Sequence, residues 1–483
     1  MPHTDKSDWL AIAATGQKQA AHILSFLIIG AGISGLGTAV ALRRAGHRVV
    51  LVESQDGLDT APEHARGIRL PPNMTKIINR WGYGDRLAKI GVVAPQVSFA
   101  HWETGEYLGV QSLSRDLVRD AGGEFFMTEH ARFLALLLEI AKELGADVRF
   151  GSHVAQLGED CRSAILQSGE TLQADIIVGS DNIHGLCRPL LAPNDAEARS
   201  DNDFMTYTSV ISADKVKANP ELAELVIGSD EGFPNWFWFG DKCSAMTYPV
   251  NVEGDCALVV WLPDDGAGEV WGEVVDAETA DNALAALKAE PRLRKLISLS
   301  PVMRVKTLSR LPLQECVHPS NNMLVIGEAL HPAPRGLYFN HAMSLEDSAA
   351  LGKLFSHALD HAQIPSFLHA FTELRHARCE RMVALDSGSL SWITMSGPAA
   401  TQRNDEFRER AAAGKDTMEP MEDDALSSEK SQAILDENRE IFGYDAEDAA
   451  DGWWISWGLP GERARGNDWS TNIELGMSTT VEE

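Results

Sequence analysis

From Leu24 to Ile29 the chain reads LSFLII, almost wholly apolar and too short for a helix, which predicts a buried strand. GAGISG follows, then TAVALRRAG with apolar positions at helical spacing, then VVLVES, a second apolar run ending in an acid. Strand, helix and strand in that order predict a βαβ unit. Further along, DIIVGSDN and MLVIGEA repeat the pattern of a short apolar strand closed by glycine and polar residues. Between about 200 and 300 the pattern changes: FPNWFWFG and CALVVWLP read as strands of a second sheet. Trp236 and Trp238 stand two apart and share one face of it, as core against helices or as an aromatic pocket wall.

The glycines give the first unit its chemistry. Gly30, Gly32 and Gly35 form a GxGxxG between strand and helix. The first allows a tight turn, the second lets a pyrophosphate approach the backbone, and the third lets helix and strand pack closely. Glu53 ends the second strand about 20 residues on, where a carboxylate accepts ribose hydroxyls. An acid here favours a free 2′-hydroxyl, which suits FAD or NAD better than NADP.

Length and charge narrow the class. The 483 residues suffice for two or three domains, and 44% apolar with 23% charged residues is ordinary for a soluble globular protein. A net charge of −28 repels phosphate backbones, so no nucleic-acid partner is expected. Six scattered cysteines without CxxC spacing give no zinc or thioredoxin motif, so no metal is expected and a reduced, cytoplasmic setting is. Ile23–Leu42 is uncharged over 20 residues, long enough for a membrane span. Its central glycines and strand-like first half favour the βαβ unit, so no stable membrane insertion is expected. The first 22 residues lack a basic run before an apolar core, so no signal peptide is expected.

Three further stretches, GIRLPPNMTKIINRWG from Gly67, DIIVGSDNIHGLCR from Asp175 and MLVIGEALHPAPRGLYFNHAMSLEDSAAL from Met323, join the βαβ unit in a recognisable set. Together they resemble the class A flavoprotein monooxygenases, nearest to the fungal salicylate-hydroxylase-like enzymes with the fold of para-hydroxybenzoate hydroxylase. The resemblance covers roughly residues 24 to 390. It implies α/β plus α+β architecture: a Rossmann-like FAD domain, an inserted β-sheet substrate domain and a helical C-terminal segment. The expected division is an extension over 1–23, the FAD domain over 24–200 (with substrate-side segments near 66–125), the substrate sheet over 201–300, the FAD domain again over 301–395, and a charged linker with a tryptophan-bearing segment over 396–483. The implied activity is FAD-dependent hydroxylation of a phenolic or other aromatic small molecule in secondary metabolism. Oxygen is inserted by flavin that NAD(P)H has reduced. The implied assembly is a monomer or homodimer.

The resemblance also assigns residues. Asp181 and Glu328, at two strand ends, contact the flavin nucleotide, and Gly67 lies on the cofactor side. Tyr248 stands beside the substrate as a hydrogen-bonding or acid–base group. Four positions depart from the family pattern. Glu328 replaces an aspartate, and Asn182 replaces a glycine, which an Asn in the left-handed region can do. His130 stands for a cofactor-contacting arginine, with Arg132 two residues on. Tyr338, Phe339 and Asn340 fill a loop usually rich in glycine, and His341 stands where a small residue is usual. The two bulky aromatics are expected to narrow the space beside the flavin ring or to pack over it. The amphipathic-looking helix SLEDSAALGKLFSHAL is expected to turn its positive end to the flavin N1–C2=O edge. His341 is either a titratable cation beside that edge, and so a catalytic group, or a packing residue. The arginine some relatives carry after a tyrosine is Thr208 here, after Tyr207. Arg375, Arg378 and Arg381 on the closing helix are expected to pair with acids. The stretch 403–432 is expected to be a linker or lid, Trp453, Trp454 and Trp457 to dock or to form an oligomer contact, and the chain beyond about Ser470 to be disordered. Two other readings remain open: an FAD-dependent oxidase, dehydrogenase or ring-rearranging enzyme that inserts no oxygen, and a non-catalytic FAD-binding relic.

Overall fold

The computed structural model of the chain describes residues 19–93, 96–112, 121–193, 204–222, 225, 233–266, 272–307, 311–334, 336–417 and 436–466. The expectations for the signal-peptide region and for the chain after Ser470 lie outside the described residues, as does 418–432 of the expected linker.

A five-stranded parallel sheet carries the nucleotide end. Its order is Met323–Val325, Ile176–Gly179, Ser25–Ile29, Arg48–Val52 and Asp147–Arg149. Such strands are covered on both faces and so read as continuous apolar runs. Helix α1 (Ile33–Arg44) packs on one face, beside helix α2 (His130–Glu143) and helix α3 (Phe339–Phe355). The same 20 uncharged residues that could be mistaken for a membrane span are therefore a strand, a loop and most of α1. Among the described residues no helix is long and apolar enough to cross a membrane.

The second sheet has eight strands and is mixed. Strands Gln96–His101 and Tyr107–Ser112 form one edge, and Val302–Thr307 and Glu273–Val275 the other. Its two faces divide the aromatics by the period of two. Trp238 is fully buried against the helices Ala277–Ala286 and Pro291–Ile297, and its indole N–H donates to Glu290 at 3.0 Å. Phe237 and Phe239 face the other way, with Trp261, Tyr248 and Phe407. The tryptophan pair thus packs with this core, and neither ring lines either of the two large cavities.

Helix α3 departs from the amphipathic expectation. It is buried nearly all round, between α1, helix α4 (Ile364–Ile393) and helix α6 (Ala446–Trp453). Its acids Glu346 and Asp347 are fully buried and are met by α4: Arg375 Nη1 lies 2.8 Å from Glu346, Arg375 Nε 2.7 Å from Asp347, and Arg378 Nη2 2.9 Å from Glu346. Arg381 pairs at the surface with Glu440. The first part of the expected linker is a packed helix, α5 (Gly397–Ala412), because Ala400, Arg403 and Phe407 present one buried face to the second sheet and to Trp392. Trp454 docks on the main body, stacked on His357 at 4.7 Å, and Trp453 donates to Glu373, whereas Trp457 stays exposed.

Candidate functional site

Two cavities of about 670 and 960 Å³ open into one another along Glu53, Leu58, Asp59, Arg66, Asn182 and His341, which line both. The smaller is a cradle at the carboxyl ends of the parallel strands, where ligands of such sheets sit. Gly30 has φ +105°, and a Cβ there would lie 2.5 Å from the Ser180 carbonyl oxygen. A Cβ on Gly35 would strike the Gly30 carbonyl oxygen. Gly32 differs: nothing lies within 4 Å of its Cβ position, so its backbone fronts open cradle.

The acids of the cradle leave acceptor capacity. Glu53 Oε2 accepts from the Ala31 N–H at 2.8 Å, and Oε1 from the Gln55 N–H at 2.9 Å and the Ser54 hydroxyl at 3.0 Å. A carboxylate offers about four acceptor positions, so one remains toward the cavity. Asp181 Oδ2 accepts from the Cys187 N–H at 3.0 Å, while its Oδ1 is buried with no partner. Burial raises the Asp181 carboxyl above its ordinary range, against the N–H of Cys187. Asn182 has φ +59°, the left-handed conformation expected of it. Glu328 follows Gly327 (φ +61°), lines the cradle and accepts from Asn340 Nδ2 at 2.6 Å.

His130 and His341 lie over 200 residues apart, yet their rings face each other at 5.7 Å. Both line the cradle, and His341 also lines the larger cavity. Arg132 instead ion-pairs with Glu129 at 3.0 Å.

The loop before α3 is arranged differently from the expectation. Gly336, Leu337 and His341 line the larger cavity; Phe339 does not. It is buried with Met343, Met382 and Ile441 on the opposite side. Tyr338 lies beneath the Arg69 guanidinium, 3.9 Å from ring centroid to Cζ. The positive end of α3 is also already engaged: the Phe339 N–H donates to Asp386 Oδ2 at 3.1 Å, from α4. Asp386 is fully buried, and burial pushes its carboxyl up to about 7, against the N–H groups of Phe339, Tyr338 and Asn340 and the charge of Arg69.

Tyr248 lines the larger cavity with Thr206, Thr208 and Arg69. Burial pushes its phenol up to about 12, so it stays protonated at neutral pH. Gly67 makes room for that ring: a Cβ there would lie 2.7 Å from Tyr248 Oη and 2.5 Å from Ala257 Cβ. Gly67 lines the larger cavity and not the cradle. Beneath the cradle, Asp347 accepts from the Gly327 N–H at 2.9 Å and lies 2.7 Å from His331 Nε2, which ties the Glu328 turn to α4 through Arg375. His331, Asp347 and Cys379 come within 4.8 Å of one another, but Arg375 occupies the carboxylate face a metal ion would need.

A Gly-lined turn at a helix N-terminus, a strand-end acid and an orphaned carboxylate oxygen in one cradle define a dinucleotide-binding flavoprotein, and its residues fit FAD. The family comparison agrees: the FAD binding domain model matches residues 24–386, and the chain belongs to that family of FAD-dependent oxidoreductases. Among its relatives, FAD-dependent monooxygenase OpS4 of Beauveria bassiana is 25% identical over 364 residues, 74% of this chain and 83% of that protein. Hispidin-3-hydroxylase of Neonothopanus nambi is 25% identical over 385 residues, 75% and 87% of the two chains. The crystal structure of CtdE with FAD and a substrate shares the fold, with TM-score 0.73 and 18% identity over 91% of this chain and all of that one.

Arg69 and Asp386 went unnoticed in the sequence. Arg69 sits between Ile68 and Leu70 in an otherwise apolar strand, and that lone charge was the available signal.

Proposed function

We propose that the protein is an FAD-dependent monooxygenase that uses NAD(P)H and O₂ to hydroxylate a phenolic or other aromatic small molecule. The observation that carries this reading is the joined pair of cavities: a nucleotide cradle opening past His341 into a chamber of about 960 Å³, at the upper end of small-molecule sites. The names of the fungal relatives, a monooxygenase and a hydroxylase, support oxygen insertion. FAD, once reduced by NAD(P)H, supplies the activated oxygen.

The chain's own residues hold and orient. Gly30, Gly32 and Gly35 bring backbone N–H groups at the start of α1 to the pyrophosphate. Glu53 accepts ribose hydroxyls, and Asp181 Oδ1 and Glu328 accept hydroxyls further along the cofactor. His341 lines both cavities and His130 the cradle beside it, so His341 could touch cofactor and substrate alike. Tyr248, protonated, donates a hydrogen bond to a phenolic oxygen and does not serve as base. The six cysteines, all free and buried, support a reducing, intracellular location. The partner is a small aromatic molecule.

The test is NAD(P)H oxidation by FAD-loaded protein under ¹⁸O₂, with and without candidate phenols. Substrate-stimulated oxidation with label in the product is expected. Flavin reduction by the substrate itself without NAD(P)H, with no label in the product, would assign an oxidase or dehydrogenase instead, and failure to retain FAD after desalting would assign a relic.

A further inference from the structure

We infer that the larger cavity selects substrates bearing an ionised oxygen, a carboxylate or an acidic enol, which Arg69 binds with Thr206 as a second donor. The inference rests on the reading of that cavity as the substrate chamber.

Arg69 is 5% exposed on the strand Gly67–Leu70. One nitrogen donates to the Met246 sulfur at 3.0 Å and the other terminal nitrogen to the Gly336 carbonyl at 2.5 Å. Guanidinium has five N–H donors, so three have no partner among the described residues. Tyr338 covers one face, and the Tyr248 ring lies 5.6 Å away. No described carboxylate comes within ion-pairing distance of it. Asp386 acts on it through space, but the Asp386 oxygens accept from Phe339. A neutral carbonyl and a thioether do not offset the desolvation of a buried cation; a bound anion does.

Thr206 supplies the second, independent observation. It is 3% exposed on the strand Phe204–Ile211, lines the same cavity, and its Oγ1 is buried with no partner. A buried hydroxyl without a partner is costly unless a ligand completes it. Thr208 and Tyr248 extend the polar wall. Glu53 and Asp59 line both cavities, Asp56 lines the larger one, and Arg66 stands among them, so an anion in the chamber is directed away from these acids and toward Arg69. In a chain of net charge −28, this cation sets the sign that the chamber accepts.

The test is a binding titration of FAD-loaded protein, read by tryptophan fluorescence and flavin absorption. Benzoate and 4-hydroxycoumarin, ionised at neutral pH as carboxylate and enolate, are compared with neutral benzamide and coumarin. At least one ionised probe is expected to bind tenfold or more tightly than its neutral counterpart, and the stronger of the two preferences identifies the anion. Arg69→Met, near in shape, should abolish the preference, Arg69→Lys should keep part of it, and Thr206→Val should weaken the ionised probe alone. FAD content and melting temperature report whether each variant is folded. Equal binding of ionised and neutral probes to the wild type would overturn the inference. So would a preference that survives Arg69→Met, or a variant whose flavin potential shifts while the preference stays, which would assign Arg69 to the cofactor. Binding consumes neither O₂ nor NAD(P)H, so the two readings fail separately. A lost preference in Arg69→Met with no labelled product from any phenol in the wild type ends the monooxygenase reading alone, whereas labelled product from a phenol with a preference unchanged in Arg69→Met ends this one alone.

Discussion

Replacing Asp386 with Asn removes a charge that the fold opposes. The carboxyl is fully buried, and burial raises it from 3.8 to about 7. Between those values the folded chain holds a proton that the unfolded chain has released. Stability contributed by this group is therefore complete below pH 3.8, falls as pH rises, and is flat above about 7. The gap corresponds to about 4 kcal/mol lost across the window. Asn cannot titrate, and its amide oxygen still accepts from the Phe339 N–H. Exchanging a charged acceptor for a neutral one costs about 1 kcal/mol. The variant should therefore be more stable than the wild type at pH 8 by about 2–3 kcal/mol, and no more stable at pH 4.5. Buried Glu346 and Asp347, held low by their guanidinium and imidazole neighbours despite burial, lose stability as pH falls, but equally in both proteins, so the difference isolates Asp386. Melting by circular dichroism of both FAD-loaded proteins at half-unit steps from pH 4.5 to 8.5 reads it. Parallel curves, or a variant less stable at pH 8, would refute the reasoning. Arg69→Met should extend the wild-type fall in stability to higher pH, because the guanidinium holds the carboxyl down.

Three further outcomes are expected. Gly67→Ala puts a methyl 2.7 Å from Tyr248 Oη and 2.5 Å from Ala257 Cβ; it should cost about 1–3 kcal/mol by thermal melting and weaken substrate binding while FAD content holds. Glu53→Gln should weaken FAD about tenfold by fluorescence titration, since hydrogen bonds to a charged acceptor contribute about 1.5–3 kcal/mol; unchanged affinity would remove Glu53 from the cofactor site. Asp347→Asn leaves Arg375 with one carboxylate and frees the Gly327 turn, so it should destabilise by about 3–5 kcal/mol and accelerate FAD loss on dilution.

What the sequence made legible was local. The βαβ unit, its glycines and Glu53 announce themselves because strand, turn and helix are neighbours in the chain, and each glycine answers a steric demand within a few residues. Asn182 was legible for the same reason, through its own backbone conformation. The facing of His130 and His341 was not, since it depends on how α2 and α3 meet across the sheet. Phe339 was misjudged because its neighbour Phe442 comes from a distant segment and draws the ring away from the cavity. SLEDSAAL looked amphipathic because two acids normally mark a solvated face. Here their solvent is replaced by Arg375 and Arg378, residues the chain supplies about 30 positions later.

The same substitution of protein charge for water explains why α3 has not kept a free positive end. Three buried acids surround this helix: Glu346 and Asp347 within it, and Asp386 at its start. The first two are neutralised by arginines of α4. The third spends the Phe339 N–H, and with it part of the helix potential that would otherwise reach the cavity. Arg69, across Tyr338 from that end, is a buried cation on the chamber side, on the strand Gly67–Leu70 that pairs with Phe126–Glu129 and carries it beside Tyr248. In this chain, positive charge in the chamber is carried by a side chain on a rigid strand rather than by glycine-loop backbone at a helix end. A guanidinium so placed acts on whatever occupies the chamber, which is why exchange of Arg69 should alter substrate choice before it alters FAD retention.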